Sequence, residues 1–382
     1  MSKLEELIQQ YCPDGVEYKE VQEVAKTTSP KGKLKSNDYL KEGKYPVIDQ
    51  GQSFIGGYTN EEIAFSEGEY VIFGDHTCVV KYVNFAFVQG ADGVKVITAN
   101  DVILPRFLYY CMSNIYMPAD YARHWSKMKV EKIPVPPLPV QEEIVRILDT
   151  YTELQAELQA ELQKRLQQYN YYRDNLLSFE GRTDIEWKRL GDVATLIRGG
   201  NFQKKDFTEI GVPCIHYGQI YTHFGIHTTS TIKYISPEVA SKSKIAKTND
   251  IVMAITSENV DDVGKCVAWL GDEDIAVSGH TAIIQHKQNA KYLSYYFHTS
   301  HFFTQKKKLA HGTKVIEISP KDLANVIVPI PSLEEQQRIV DILDRFDTLT
   351  NDLSQGLPAE IEARRKQYEY YRDQLLTFKK KA

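Results

Sequence analysis

The most chemically suggestive spacings in the chain are two short runs of carboxylates followed by lysine. Pro13-Asp14 precedes Glu17 and Lys19, and Thr183-Asp184-Ile185 precedes Glu186-Trp187-Lys188. The first carries the residue types of a PD…ExK nuclease centre, but its spacing is very short. The second run stands at the equivalent place of an internal repeat, so a shared strand start is the better reading. His223 and His227 lie four apart, as a helical metal pair would, yet Gly225 and the adjacent threonines argue against a helix there. No Gly-rich loop ends in GK[ST] to cradle nucleotide phosphates, and no Asp/Asn-Pro-Pro-Tyr segment of the amino-methyltransferase kind is present. The residues therefore assign no catalytic site and no metal site.

What could position functional side chains is clearer. The 382 residues suffice for two or three domains, each able to bury a core. Hydrophobic content of 42% and charged content of 25% are ordinary for soluble globular proteins. No apolar run approaches the roughly 20 residues that span a bilayer, and MSKLEELIQQ lacks a signal pattern, so a cytoplasmic protein is expected. Five widely spaced cysteines (Cys12, Cys78, Cys111, Cys214 and Cys266) form no CxxC pair. They argue for reduced thiols rather than a disulfide framework.

An internal repeat dominates the chain. IPVPPLPVQEEIVRILD (133–149) is answered by VPIPSLEEQQRIVDILD (328–344), and YYRDNLLSF (171–179) by YYRDQLLTF (370–378). The offset grows from 195 to 199 between these matches, so the second helical stretch holds four extra residues, about one helical turn. Weaker echoes run through the globular parts in the same order. Glu17-Tyr18-Lys19 matches Glu186-Trp187-Lys188, YPVIDQGQ (45–52) matches VPCIHYGQ (212–219), and RFLYYCM (106–112) matches KYLSYYF (291–297). Leu7 and Ile8 fall opposite Leu176 and Leu177, which suggests a partial third copy and a cyclic arrangement with the N-terminal helix beside the C-terminal one.

The expected architecture is mixed α/β (α+β): two globular modules joined by two long helices that form an antiparallel coiled coil, with pseudo-two-fold internal symmetry. The divisions are 1–139 for the first module with its N-terminal helix, 140–180 for the spacer helix, 181–332 for the second module and 333–382 for the C-terminal helical region. Short β-rich runs such as EYVIFG (69–74) and DIVMAIT (250–256), bounded by Gly, Asn and Asp, predict strands within the modules. Ile144, Leu148, Tyr151, Leu154, Leu158, Leu162, Leu166 and Tyr169 recur at steps of three and four, a continuous apolar stripe. Ile339, Leu343, Phe346, Leu349, Leu353, Tyr368 and Tyr371 supply the second stripe, with a break expected at Pro358. Stripes this long and narrow pair most simply with each other, although each helix could pack on its own module alone.

The formal net charge of −5 first argues against nucleic-acid binding, but its distribution matters more. Residues 140–180 and 333–378 each carry −4, which leaves the rest of the chain at about +3, so the acid sits in the helical stretches. The repeat ELQA-ELQA-ELQK (153–164) lengthens the first helix by about 6 Å per unit, close to the rise of two base pairs.

The proline-rich link with EIVRILD, the four-residue repeat and the twice-used QYxYYRDxLLxF together resemble the conserved regions of type I restriction–modification specificity subunits. The resemblance covers the whole chain in organisation. It implies a non-catalytic subunit whose two modules are target-recognition domains, each reading one half of a bipartite, asymmetric DNA site. It also implies that the helices set the half-site spacing and dock two modification (methyltransferase) subunits, with restriction (translocase–nuclease) subunits joining. No cofactor is expected on this chain; the partner subunits are expected to use S-adenosylmethionine, ATP and Mg.

Reading bases and phosphates needs basic, amide, imidazole or acidic side chains on loops. In the first module Lys31, Lys33 and Lys35 suit phosphates; Gln52, Asp75, His76 and Lys81 lie on strand-edge loops; His124, Lys127 and Lys129 lie near the helix link. In the second, Lys204, Lys205, Lys242 and Lys244 suit phosphates, and His216, Gln219, Ser257, Asn259, His280 and Lys314 suit bases. Two other classes of function remain open on sequence grounds: a coiled-coil assembly scaffold that reads no DNA, and an enzyme of unrecognised type.

Overall fold

The computed structural model describes residues 2–118, 122–352 and 355–381. It divides into two compact units, Met1–Glu157 with Glu362–Ala382, and Leu158–Ile361.

In the first unit a four-stranded antiparallel sheet runs in the order Ala25–Thr28, Val94–Ala99, Tyr70–Gly74, Val80–Val83. A three-stranded sheet places Tyr45–Ile48 between Gly57–Thr59, antiparallel, and Val88–Gln89, parallel. YVIFG is apolar without alternation because that strand lies inside the sheet with both faces covered. Val71, Phe73 and Ile97 of the sheet pack on Phe107, Leu108 and Met112 of the helix Pro105–Ser113. Val140, Ile144 and Leu148 from the start of the long helix Leu138–Ser178 close the same core.

The second unit repeats the plan with longer sheets. Ala194–Arg198, Thr281–His286, Ile251–Ala254, Cys266–Trp269 and His227–Thr228 form one sheet. Phe207–Thr208, Lys233–Ile235, Val212–Ile215, Ile275–Val277 and Lys244–Ala246 form the other. The helix Ala290–Tyr296 takes the place of Pro105–Ser113, and Ile339, Val340 and Leu343 close the core. The duplication extends to register. Tyr18 pairs with Pro134 and Trp187 with Pro329 in matching two-stranded ribbons, so both Glu-aromatic-Lys runs are strand starts, as their spacing suggests.

Helix Leu138–Ser178 is 41 residues long, about 60 Å at 1.5 Å per residue. The second helical region is two helices, Leu333–Asn351 and Leu357–Leu375. Pro358 sits in the first turn of the latter, where a missing amide costs nothing, so the chain breaks before the proline rather than at it. Gly356 forms the corner: a Cβ there would lie 2.4 Å from the Thr348 carbonyl oxygen. The four extra residues thus accompany a break, not a longer helix. In the first unit Tyr151 stacks on Tyr371 at 5.7 Å and contacts Tyr368 at 6.4 Å. In the second Tyr172 stacks on Phe346 at 5.3 Å, and Tyr169 is buried. Both pairings are antiparallel. Leu154, Leu158, Leu162 and Leu166 are half-buried, Leu349 is exposed, and Leu353 lies outside the described residues.

The cyclic expectation holds within the first unit. Val16 donates its amide to the Lys379 carbonyl (2.8 Å) and accepts from the Lys381 amide (2.9 Å). The Tyr18 hydroxyl bridges the Phe378 carbonyl and amide, both at 3.1 Å. Leu4, Leu7 and Ile8 of helix Lys3–Tyr11 pack on the same core as Leu375, Leu376 and Phe378. Leu376 is buried there as Leu177 is in the second unit. The C-terminal segment therefore completes the first unit as residues 171–179 complete the second.

Candidate nucleic-acid interface

Two anchors fix each module to its helix. Gln141 and Gln336, both fully buried, close the corner between the proline-rich strand and the helix. About two turns along the helix, Asp149 accepts from Arg106 Nε (2.8 Å) and from the Tyr110 hydroxyl (2.5 Å). Asp344 accepts from the Tyr295 hydroxyl (2.7 Å) and from Lys291. Arginine or lysine and tyrosine stand four apart in both modules, on one face of the helix that follows the sheet.

In the first module the loops that leave the strand ends converge. The His76 amide donates to Gln50 Oε1 (3.2 Å), the Thr77 hydroxyl to the Gln50 carbonyl (2.6 Å), and the Asp75 amide to the Gly93 carbonyl (2.5 Å). The His76 ring meets the Ala122 carbonyl at 3.2 Å. Gly93 has φ +71°, and a Cβ on it would press on Gln50 and His76. The lysine-rich approach runs alongside: the Leu34 amide donates to the Gln89 carbonyl (3.1 Å) and the Ala91 amide to the Leu34 carbonyl (2.6 Å). Lys31, Lys33 and Lys35 are exposed on that segment, Gln52 is exposed on the 49–53 loop, and Lys127 is exposed on the turn Trp125–Met128, with Lys129 half-buried at its end.

Three expected contacts in this module are interior residues. Lys81 is 5% exposed, and its ammonium donates to the carbonyls of Asp49 (2.8 Å) and Ser53 (2.6 Å), so it holds the loop that carries Gln52. Burial lowers its pKa, partly offset by Asp49. Asp75 is buried with its carboxylate on the Trp125 amide (2.7 Å). His124 is buried, and its amide donates to the Asp75 carbonyl (2.8 Å). The Lys81 and Asp75 side chains thus hold the loop face from within.

The second module has the equivalent convergence. The Ile255 amide donates to the His280 carbonyl (3.0 Å) and its carbonyl accepts from Ile318 (3.0 Å), the same two backbone roles that Asp75 performs toward Gly93 and His124. The Thr256 hydroxyl bonds the His280 ring (3.0 Å), the Tyr221 hydroxyl donates to the Thr256 carbonyl (2.6 Å), and Tyr217 lies 5.0 Å from the His280 ring. Together with Ser257, Glu258, Asn259, Asp262 and Val315 these residues line a cleft of about 390 Å³. Lys314 is exposed at its rim beside Val315, and Lys244 heads an edge strand paired to Val277, beside the Ser278–His280 turn. Lys204 and Lys205 are exposed on a short turn, and Lys242 is exposed and paired with Glu238 at 3.2 Å.

His216 and Gln219, expected as base contacts, are interior residues of a helix cap. His216 caps the helix Tyr217–Thr222, accepting from the Gly218 amide at Nδ1 (3.2 Å), while Gln219 Oε1 accepts from the His216 amide (2.7 Å). Both are buried, and burial, then Lys204, pushes the His216 pKa down to about 4. Asn259 is exposed, but both its amide groups bond Asp262 (2.8 Å each), so it shapes the turn.

Gln50, Tyr217, Tyr221 and Lys306 were not singled out by the sequence. Gln50 and Tyr217 face each other in the YPVIDQGQ/VPCIHYGQ match, two residues from Gln52 and one from His216. Lys306 opens the lysine run 306–308, and its ammonium is buried against the Asp261 (2.8 Å) and Val263 (2.6 Å) carbonyls. Among the described residues no three His, Cys, Asp or Glu side chains group to hold a metal, and no helix is long and apolar enough to cross a membrane.

A family model described as "Type I restriction modification DNA specificity domain" matches residues 13–168 and again 183–363. The type I restriction enzyme EcoR124I/EcoR124II specificity subunit of Escherichia coli is 37% identical over 100% of this chain and 98% of that protein. The type I restriction–modification S subunit from M. genitalium superposes with TM-score 0.55 over 95% of this chain and 96% of its own, at 12% identity. A chain from the structure described as "complex assembly and conformational transition of the type I R-M system" gives TM-score 0.58 over 96% and 98%, at 19% identity. At such identities the structural likenesses establish the fold.

Proposed function

We propose, because the chain belongs to the family of type I restriction–modification DNA specificity subunits, that each of its modules reads one half of a bipartite, asymmetric DNA site. The chain is the sequence-reading, non-catalytic subunit of its system. The observation that carries the bipartite reading is one loop framework furnished with different side chains. Gln50, His76 and Gly93 in the first module stand where Tyr217, Thr256 and His280 stand in the second. A duplicated frame with unlike tips suits two unlike short sequences, because base edges are told apart by donor and acceptor patterns. Lys31, Lys33 and Lys35 would neutralise phosphates beside the first reading face, and Lys244 and Lys314 beside the second.

Joining two modest readers in one chain makes the second binding event intramolecular, so combined affinity rises without new contacts. The helices serve as spacer, with ELQA units setting half-site separation, and their acidic outer faces dock two methyltransferase subunits. Restriction subunits complete the assembly. S-adenosylmethionine, ATP and Mg belong to those partners.

The test is reconstitution with the methyltransferase subunits, followed by footprinting and methylation mapping. Protection of two separated blocks of different sequence is the expected result. Binding without sequence preference would leave only an assembly scaffold.

A further inference from the structure

We infer that the clamps Arg106–Asp149–Tyr110 and Lys291–Asp344–Tyr295 are positioning residues that set how strictly half-site spacing is read, an inference that rests on the bipartite reading above. The two modules are only weakly alike in sequence, yet both present a basic residue and, four positions on, a tyrosine to an aspartate at the same step of the helix repeat. The clamp lies inside each unit, joining the module's own helix to the helical region that carries it.

The apolar core alone cannot supply this. Burial of Ile144 and Leu148, or of Ile339 and Leu343, is non-directional and tolerates a small rotation of the module about the helix. Hydrogen bonds to a carboxylate are directional and lose strength when bent. A rotation at the helix also displaces the module's loops, where bases would be met. Well-packed apolar residues would hold a module about as firmly as a half-buried ion pair does. Retention of the polar set in both modules therefore points to orientation, not to stability.

The clamps also differ in a way that makes the inference specific. The Arg106 guanidinium lies over the rings of Tyr82 (4.6 Å), Tyr109 (5.1 Å) and Tyr110 (5.2 Å), so its fork is held on several sides. Lys291 offers Asp344 a point charge. Loss of the first clamp should therefore relax spacing more than loss of the second.

The test uses the full chain reconstituted with its methyltransferase subunits. Duplexes carry the methylation-mapped site at its native spacer and at spacers one base pair shorter and longer. Asp149→Asn should lower the ratio of native to shifted-spacer methylation by about tenfold, as expected for loss of a charged hydrogen bond, and Asp344→Asn should lower it by a smaller factor, with both half-site sequences unchanged. Tyr110→Phe and Tyr295→Phe, which keep the ion pair, should give a smaller drop in the same direction. Arg106→Lys, which installs the donor type of the other clamp, should retain most of the discrimination. Val71→Ala, which thins the same core without touching a clamp, should lower stability and leave the ratio alone. An unchanged ratio in Asp149→Asn and Asp344→Asn complexes that still methylate the native site would overturn the inference, as would an equal drop in Val71→Ala. A wild-type complex with no preference for any bipartite site would instead overturn the parent reading.

Discussion

Gln141 and Gln336, 195 positions apart, make the same hydrogen-bonded corner in two different modules. Each donates Nε2 to a proline carbonyl five residues earlier, Pro136 at 2.6 Å and Pro331 at 2.8 Å. Each accepts at Oε1 from a backbone amide at a helix start, Leu104 at 2.8 Å and Asn289 at 2.9 Å. The remaining Nε2 hydrogen goes to the Val102 carbonyl in one and to Gln288 Oε1 in the other.

Replacing either glutamine by leucine leaves a buried amide and carbonyl unpaired. Gln141→Leu and Gln336→Leu should each cost about 2–3 kcal/mol, read as a lower urea midpoint. A neutral result for one of them would mean that the corners are not equivalent.

Deletion of ELQA (157–160) removes about 6 Å of helix, so the preferred spacer should shorten by about one or two base pairs. Methylation mapping of the deleted form should return both original half-sites. New half-sites would contradict the spacer role.

Lys33→Ala should weaken binding by a similar factor on every sequence and reduce the salt-dependence slope by about 1, the signature of one lost phosphate contact. Lys81→Ala should behave differently. It releases the 49–53 loop that its ammonium holds, so specificity at one half-site should blur while the slope changes little. Salt titration of both variants on specific and random duplexes separates the two.

Burial holds the imidazoles of His216, His286 and His298 at about 4, below the ordinary value of about 6.5. Between those values the unfolded chain binds protons that the folded unit does not, so stability is full above about pH 6.5 and falls as pH drops toward 4. Urea midpoints at pH 7 and pH 5 should show the loss. His216→Asn, which can still cap its helix, should make the fall shallower. A parallel pH profile would show that His216 titrates normally.

The repeat, the strand starts and the helix faces were legible because each depends on local pattern: apolar periodicity, a proline link, a matched motif. Ile144, Leu148, Ile339 and Leu343 were identifiable from spacing alone and are all buried. The proposed reading face was only partly legible. Lys81, Asp75, His216 and Gln219 have the residue types of DNA contacts, and in the structure each supports a loop or caps a helix. Residue type does not reveal which way a loop side chain turns, since that depends on partners 26 to 50 positions away, such as Gln50 for His76 and Trp125 for Asp75. The break was expected at Leu357–Pro358 and falls immediately before it, between Asn351 and Leu357, because a proline is harmless in a helix's first turn.

The most direct test of the account is a methylation map from cells that carry this chain with its methyltransferase partners, beside the same map for Tyr217→Ala with His280→Ala. The wild type should mark a single bipartite, asymmetric sequence, and the double variant should relax or alter one half while the other half and the spacer stay fixed. Change in both halves together, or marks that follow no bipartite sequence, would contradict the claim that each module reads its own half-site.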